Sequence, residues 1–460
     1  NVEFDFCKKL KGRDLKANEF TFKLYDESGA EVATATNDAT GNVKFTGIKY
    51  SVSELGTDAS GQRNSSKTFN YTVKEVIPTT PEAGMTYDQM EAKVTVTVTK
   101  SGHTLVSTAP SYSSTNGVDA DGNATTGVDT EFNNTFTPAA TKAQFKFTKK
   151  LEGKRLEDDA FTFELLENGN VIQTKKNKAD GTIQFDAISY DKEGTHTYTV
   201  REVAGADTNI DYDSMNATVT VNVTKDAQTG LLNAAVTMPA DSEFNNYAVA
   251  PVNVEFDFSK KLKGRDLKAN EFTFKLYDES GAEVATATND ATGNVKFTGI
   301  KYSVSELGTD ASGQRNSSKT FNYTVKEVIP TTPEAGMTYD QMEAKVTVTV
   351  TKSGHTLVST APSYSSTNGV DADGNATTGV DTEFNNTFTP AATKAQFKFT
   401  KKLEGKRLED DAFTFELLEN GNVIQTKKNK ADGTIQFDAI SYDKEGTHTY
   451  TVREVAGADT

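Results

Sequence analysis

Apolar and polar residues alternate with a period of two through most of this 460-residue chain. A strand turns successive side chains to opposite faces, so this alternation predicts strands that cover a core on one side only. In the first 140 or so residues the clearest predicted strands are 2–10, 19–25, 42–49, 68–76, 92–100 and 129–136. Segment 92–100 (Ala-Lys-Val-Thr-Val-Thr-Val-Thr-Lys) is the cleanest, with valines on one parity and threonines on the other. Gly29-Ala30, Gly41-Asn42 and Asn168-Gly169 supply turn chemistry between strands. No segment carries a convincing helical period.

Many short strands with polar turns predict an all-β chain of antiparallel, immunoglobulin-like sandwiches. Their number follows from self-comparison. Residues 1–208 recur at 253–460, and Cys7 against Ser259 is the one difference. An older duplication lies inside that unit: Gly12-Arg13-Asp14-Leu15 leading to Phe20-Thr21-Phe22-Lys23-Leu24 matches Gly153-Lys154-Arg155-Leu156 leading to Phe161-Thr162-Phe163-Glu164-Leu165. The predicted domains are therefore 1–141 (type A), 142–252 (type B), 253–393 (type A) and 394–460 (type B), in an extended array. The joints near 137–143 and 248–253 are short and carry Pro138 or Pro251, which favours a semi-rigid string. The last type B segment stops at Thr460, level with Thr208 of its twin, so the chain is expected to be a piece of a longer repetitive protein. Near-identical copies favour a mechanical or display role over turnover.

Against that background one residue type stands on the wrong face. Val2, Phe4, Phe6, Lys8 and Leu10 share a parity, and Ala143, Phe145, Phe147, Lys149 and Leu151 repeat the phase. Two further polar residues break parity in the same way. Glu75 follows Phe69, Tyr71 and Val73, as Glu202 follows Tyr198 and Val200; Asn134 lies between Phe132 and Phe136, and Asn246 follows Phe244. Taken singly, each has an ordinary alternative: a lysine that snorkels its charge to water, a strand-end surface carboxylate, a turn cap. Their coincidence in two diverged domains, in the same order, points to chemistry. A lysine buried among aromatic rings loses its proton more readily, and the neutral amine is a nucleophile. A buried carboxyl holds its proton, and is expected to donate it in a hydrogen bond to the asparagine carbonyl. Attack on the asparagine side-chain amide would release ammonia and leave an uncharged isopeptide crosslink. Orientation alone supplies much of such a reaction, since effective molarities reach about 10⁵–10⁸ M. Lys9 and Asn133 are the neighbouring rivals, and parity turns both outward.

The run aromatic-x-aromatic-x-Lys-x-Leu, then Tyr-x-Val-x-Glu, then Phe-x-Asn resembles the streptococcal pilin isopeptide-linkage domain. Met85-Thr86-Tyr87-Asp88 and Ile210-Asp211-Tyr212-Asp213, ahead of the valine-rich strand, extend the resemblance. It implies immunoglobulin-like domains of CnaB-related topology, with a Lys–Asn bond between first and last strands promoted by a glutamate. Carried over by motif, the sets are Lys8, Glu75 and Asn134; Lys149, Glu202 and Asn246; Lys260, Glu327 and Asn386. Lys401 and Glu454 continue the series with no asparagine to receive the lysine. The family occurs in pilins and in stalk repeats of Gram-positive surface adhesins.

The remaining features change the picture little. A formal charge of −16 argues against nucleic-acid or anionic-membrane binding. No apolar run approaches the roughly 20 residues of a membrane span. With a single cysteine, no disulfide framework is available within this sequence. Asp119, Asp121, Asn123 and Asp129, with Gly122, form a loop like a calcium site without its terminal glutamate, and a solvated loop is the expectation. The four histidines are scattered singly, and no catalytic triad, metal cluster or phosphate loop is evident. The expectation is a non-enzymatic stalk fragment of a cell-surface adhesin, extracellular and wall-anchored through other parts of a longer chain. It needs no cofactor or metal, and its host ligand is bound elsewhere. The alternatives are a pilin shaft subunit and a domain that itself binds host protein or glycan, for which the loops near 51–67 and 110–128 are the places to look.

Overall fold

The structure is a computed structural model and describes residues 1–457. Its first sandwich has ten strands: β1 Val2–Lys11, β2 Thr21–Tyr25, β3 Glu31–Thr36, β4 Asn42–Ile48, β5 Ser66–Glu75, β6 Met85–Thr86, β7 Glu91–Ser101, β8 Thr104–Ser107, β9 Ser111–Thr115 and β10 Glu131–Phe136. One sheet runs β4-β1-β10-β6; the facing sheet runs β3-β2-β5-β7-β8, with β9 also paired to β7. The inward parity of β1 (Val2, Phe4, Phe6) meets Phe22, Leu24, Val73, Val94 and Val96 in one closed core.

One pairing departs from the expected antiparallel plan. β1 and β10 run parallel, with Lys8 opposite Phe132 and Leu10 opposite Asn134. Parallel neighbours need a long crossover, and here everything between the first and last strands serves as that crossover. Parallel register also turns Lys8 and Asn134 to the same face, as diagonal neighbours. β3, β8 and β9 lie outside the predicted set because they are half-exposed additions with few large apolar residues. The loops near 51–67 and 110–128 therefore hold structure of their own: a single 3-10 turn, Val52–Leu55, with Leu55 buried, and β9.

The second sandwich repeats the plan. Lys146–Glu152 pairs parallel with Glu243–Ala248, and the facing sheet is built on Thr162–Glu167, Gly194–Val203 and Asn216–Lys225. The joint before it is partly strand: Thr141–Ala143 pairs with Ile188–Tyr190, and Ala143 enters the core. Asn1–Ala248 forms one compact unit and Val249–Thr460 another. In the second unit a sandwich of the longer type recurs, with Val252–Lys263 parallel to Glu383–Phe388, and Val249 joins its core although the sequence repeat starts at residue 253. The final segment has a smaller core of Phe415, Leu417, Ile435 and Phe437. Among the described residues there is no α-helix, and so no helix long and apolar enough to cross a membrane.

Two local devices fix the loops. Asn37 is fully buried, accepting from the Phe20 N–H and donating to the Lys16 and Asp38 carbonyls; Asn177, Asn289 and Asn429 repeat the arrangement. The tight turns use Asp-x-x-Gly. Asp26, Asp38, Asp58 and Asp119 each accept N–H groups from two and four residues on, and the glycine takes positive φ at 83°, 95°, 82° and 84°. These aspartates are thereby engaged by their own backbone. The acidic loop at 119–129 is one such turn, and the described residues hold no cluster fit for a metal ion.

Side-chain hydrogen bonds from Ser28 to Asp26, from Thr40 and Asn42 to Asp38 and from Ser60 to Asp58, and for Asp119 chiefly the Asn123 N–H, together with the other backbone donors, hold the four carboxyls below their ordinary value of 3.8. The unfolded chain then takes up protons before the folded one, so this contribution is present above pH ~4 and lost as pH falls further. Thermal unfolding followed from about pH 6 to about pH 3 is expected to drop in midpoint below pH ~4; a flat profile would show that the turns contribute nothing.

Within the first unit, the turn at 226–231 of the second sandwich rests on the first. The Asp14 N–H donates to the Ala227 carbonyl at 2.9 Å. Gly230, at φ +71°, comes so near that a Cβ would stand 2.7 Å from the Phe136 ring and 2.8 Å from the Arg13 Cβ. The Arg13 side chain is 5% exposed there, against 24% for its twin Arg265, over which no such turn lies among the described residues. Limited trypsin digestion is expected to cut after Arg265 faster than after Arg13, and Gly230→Leu to remove the difference. Equal rates in the unaltered chain would dismiss the docking.

Candidate functional site

The three polar residues on the wrong parity meet in the core. In the first sandwich, β1 carries Lys8 and β10 carries Asn134 on the inner face of one sheet, while Glu75 reaches them from the end of β5 in the other. The Lys8 Nζ lies 2.9 Å from Glu75 Oε2, and Asn134 Nδ2 donates to Glu75 Oε1 at 2.7 Å. Both the lysine and glutamate side chains are 0% exposed. The Phe20 ring covers the ammonium at 4.6 Å from its centroid. One carboxylate thus bridges the lysine nitrogen and the amide nitrogen of the asparagine.

The diverged second sandwich builds the same constellation. Lys149 meets Glu202 at 3.0 Å and Asn246 Nδ2 meets Glu202 Oε1 at 2.6 Å, with Phe161 over the lysine. Lys260, Glu327 and Asn386 follow at 2.8 and 2.6 Å. Burial governs the electrostatics in all three. Removal from water pushes the lysines down from 10.5 and the glutamates up from 4.5, opposed in each case by the attraction of the pair. Both shifts favour transfer of the proton from amine to carboxyl within the pair.

The structure brings every sequence-derived triad together and differs from expectation in two details. The glutamate faces the amide nitrogen of the asparagine rather than its carbonyl. The carbonyl instead accepts a main-chain N–H, from Asp88, Asp213 or Asp340, each at 2.8 Å. A donor there fixes which end of the amide is oxygen. Asn133, expected to face outward, is buried as well, because residues 116–125 fold over that face and its Nδ2 donates to the Val118 carbonyl. Its type B counterpart Asn245, with no such loop, is half-buried. Lys9 is exposed.

Lys401 and Glu454 also pair, at 2.7 and 2.8 Å, but the lysine side chain is 18% and the glutamate 39% exposed. The four histidines take no part in these clusters. His196 lies against Glu167 and the Tyr190 ring. Cys7 is half-buried beside Lys8 with its thiol pushed up by burial. Periodicity attaches no role to the aspartates; their signal in the sequence is Tyr87-Asp88 and Tyr212-Asp213, which survive the divergence of the two domain types.

A family model described as FctA, Spy0128-like isopeptide-containing domain, matches residues 4–137, 145–248, 256–389 and 397–460. Among solved structures, two B repeats of the collagen-binding protein of Staphylococcus aureus align over 100% of this chain and 94% of theirs, at 16% identity and TM-score 0.19. The major pilin of Streptococcus pyogenes aligns over 54% and 99%, at 15% identity and TM-score 0.22, and the major pilin BcpA of Bacillus cereus over 84% and 99%, at 12% and 0.17. At TM-scores this low, none of the three likenesses supports an argument. Comparison with curated proteins returned no match.

The pairing of Lys8 with Glu75 is testable apart from any bond. In an Asn134→Ala background, Glu75→Ala leaves a buried lysine without its anion, which costs about 3–5 kcal/mol. The double change Lys8→Met with Glu75→Leu, which removes both charges, is expected to restore most of that in calorimetric melting of the full chain. Equal melting of the single and double variants would show that the lysine escapes to solvent.

Proposed function

The chain belongs to the FctA family of Spy0128-like isopeptide-containing domains, and on that footing we propose that its repeats are the covalently locked stalk of a Gram-positive surface adhesin. One observation carries this reading: a buried lysine, a buried glutamate and an asparagine amide converge at hydrogen-bonding distance in three sandwiches. The uncharged lysine attacks the amide carbon of Asn134, Asn246 or Asn386. Glu75, Glu202 or Glu327 receives a proton from the attacking nitrogen through one oxygen and delivers one to the departing nitrogen through the other. Ammonia leaves, and an amide joins the first strand to the last. Each domain reacts once, on itself, so the chain is no enzyme toward outside substrates.

The topology supports a mechanical purpose. With first and last strands bonded, tension entering a sandwich at its N-terminal strand leaves through the neighbouring C-terminal strand. The 125 residues between Lys8 and Asn134 are then off the load path; extended, they would add about 400 Å at ~3.3 Å per residue. By analogy with a disulfide closing a loop of similar length, the crosslink stabilises the domain by about 4–5 kcal/mol. An amide does this without regard to redox conditions, which suits a surface protein with one cysteine. Near-identical A–B copies within a single chain favour a stalk over a pilin shaft, where the repeating unit is the subunit. On this reading the repeats work outside the cell, joined to the wall and to a ligand-binding region by other parts of a longer chain.

Intact mass of the purified chain is expected to fall short of the sequence by three ammonias, with peptide mapping joining Lys8 to Asn134. Asn134→Ala is expected to lose one of the three, lower the melting temperature, and lengthen extension under force. A mass equal to that of the sequence would end the proposal.

A further inference from the structure

Three aspartates recur beside the triads, and each makes the same three contacts. The main-chain N–H of Asp88 donates to Asn134 Oδ1 at 2.8 Å. Its carboxylate accepts the N–H of Asn133, the residue just before the acceptor asparagine, at 2.8 Å, and the N–H of Met90 at 2.9 Å. In the diverged second sandwich the N–H of Asp213 meets Asn246 Oδ1 at 2.8 Å, and its carboxylate takes the N–H groups of Asn245 and Met215 at 2.7 and 2.8 Å. Asp340 repeats the set with Asn386, Asn385 and Met342 at 2.8, 2.8 and 2.9 Å. Asp88 and Asp340 are 3% and 2% exposed.

A carboxylate buried to that degree is costly unless satisfied, and here both oxygens are occupied by backbone donors. The effect is to bolt the short segment after β6 onto β10. That bolt aims one N–H at the carbonyl oxygen of the amide that is to react. When an amine adds to such an amide, the π electrons move to this oxygen, and a preorganised donor at hydrogen-bond distance stabilises the charge that develops. Glu75 is already committed to the two nitrogens, so it does not serve the oxygen.

We infer that the Asp88, Asp213 and Asp340 main-chain N–H groups are the oxyanion donors of the crosslinking step, and that the side chains of the same residues are the positioning groups that hold them there. This role rests on the crosslinking proposed for the triads. In the step itself, the bond from lysine Nζ to asparagine Cγ forms, and the carbonyl electrons shift to Oδ1 beside the Asp88 N–H. One proton passes from Nζ to the glutamate and another from the glutamate to Nδ2. The oxyanion then collapses and the Cγ–Nδ2 bond breaks, releasing ammonia. The glutamate ends as it began, and no outside reactant enters.

The test compares ammonia loss from the first domain over time after synthesis of the full chain, the other two domains serving as internal standards. Asp88→Ala is expected to slow closure of the first domain by roughly tenfold to a hundredfold, the scale set by misplacing a reacting group. Asp88→Asn, which keeps one acceptor oxygen, is expected to recover part of the rate. Val98→Ala, a core change at the far end of β7, controls for loss of stability and is expected to close at the unaltered rate even where its melting temperature matches that of Asp88→Ala. If Asp88→Ala closes as fast as Val98→Ala, or if Asp88→Asn recovers nothing, the inference is overturned while the crosslink stands. If the unaltered chain loses no ammonia at all, the crosslink reading falls and this inference with it.

Discussion

Everything in these sandwiches is arranged around a lysine amine that has no access to water. Lys8 is fully enclosed, with one carboxylate and the face of Phe20 for company. An isolated charge in such a place is among the most unfavourable things a fold can contain, and even a paired one returns little net stability. The glutamate must therefore come from the opposite sheet, the aromatic ring must cover the remaining approach, and the asparagine amide must occupy the second carboxylate oxygen. Each requirement fixes the register of a different strand: β1 through Lys8, β5 through Glu75, β10 through Asn134. A one-residue slip in any of them would reverse the faces and leave the charge stranded.

The parallel pairing of β1 with β10 belongs to the same constraint. Antiparallel partners are the easier choice for neighbouring strands joined by a turn, but these two are separated by the whole domain and are free to run either way. Parallel register places the two chain ends of the sandwich at opposite ends of one strand pair. A bond across that pair would lie directly between them. In a β1–β10 pair held by hydrogen bonds alone, a pull along the strands would shear the pair first.

How much of this can be read from residues alone depends on whether the information is periodic. Lys8, Glu75 and Asn134 are legible because a strand writes its faces into the sequence with period two, and a polar residue out of phase is conspicuous. The long strands are legible for the same reason. β6 is two residues long and has no period to read, so Asp88 beyond it shows only as part of a recurring Tyr-Asp, and the contact that matters most is made by its main chain. Parity also misjudges Asn133, since burial there comes from a loop folded over the outer face of the sheet. The parallel sense of the first and last strands leaves no local trace. Neither does the seat of the 226–231 turn on Arg13 and Phe136, a contact between two domains whose residues serve other purposes within each.

The fourth segment holds the same pair in a different setting. Lys401, Glu454 and the ring of Phe413 are present and in contact, as in the other three. Yet the pair is partly open to water and both carboxylate oxygens turn to the lysine, where in the completed sandwiches one of them is taken by asparagine. An ion pair of this exposed kind is an ordinary surface interaction worth little. The strand that brings the asparagine therefore does two things at once. It sets an amide against the second carboxylate oxygen, and it covers the pair.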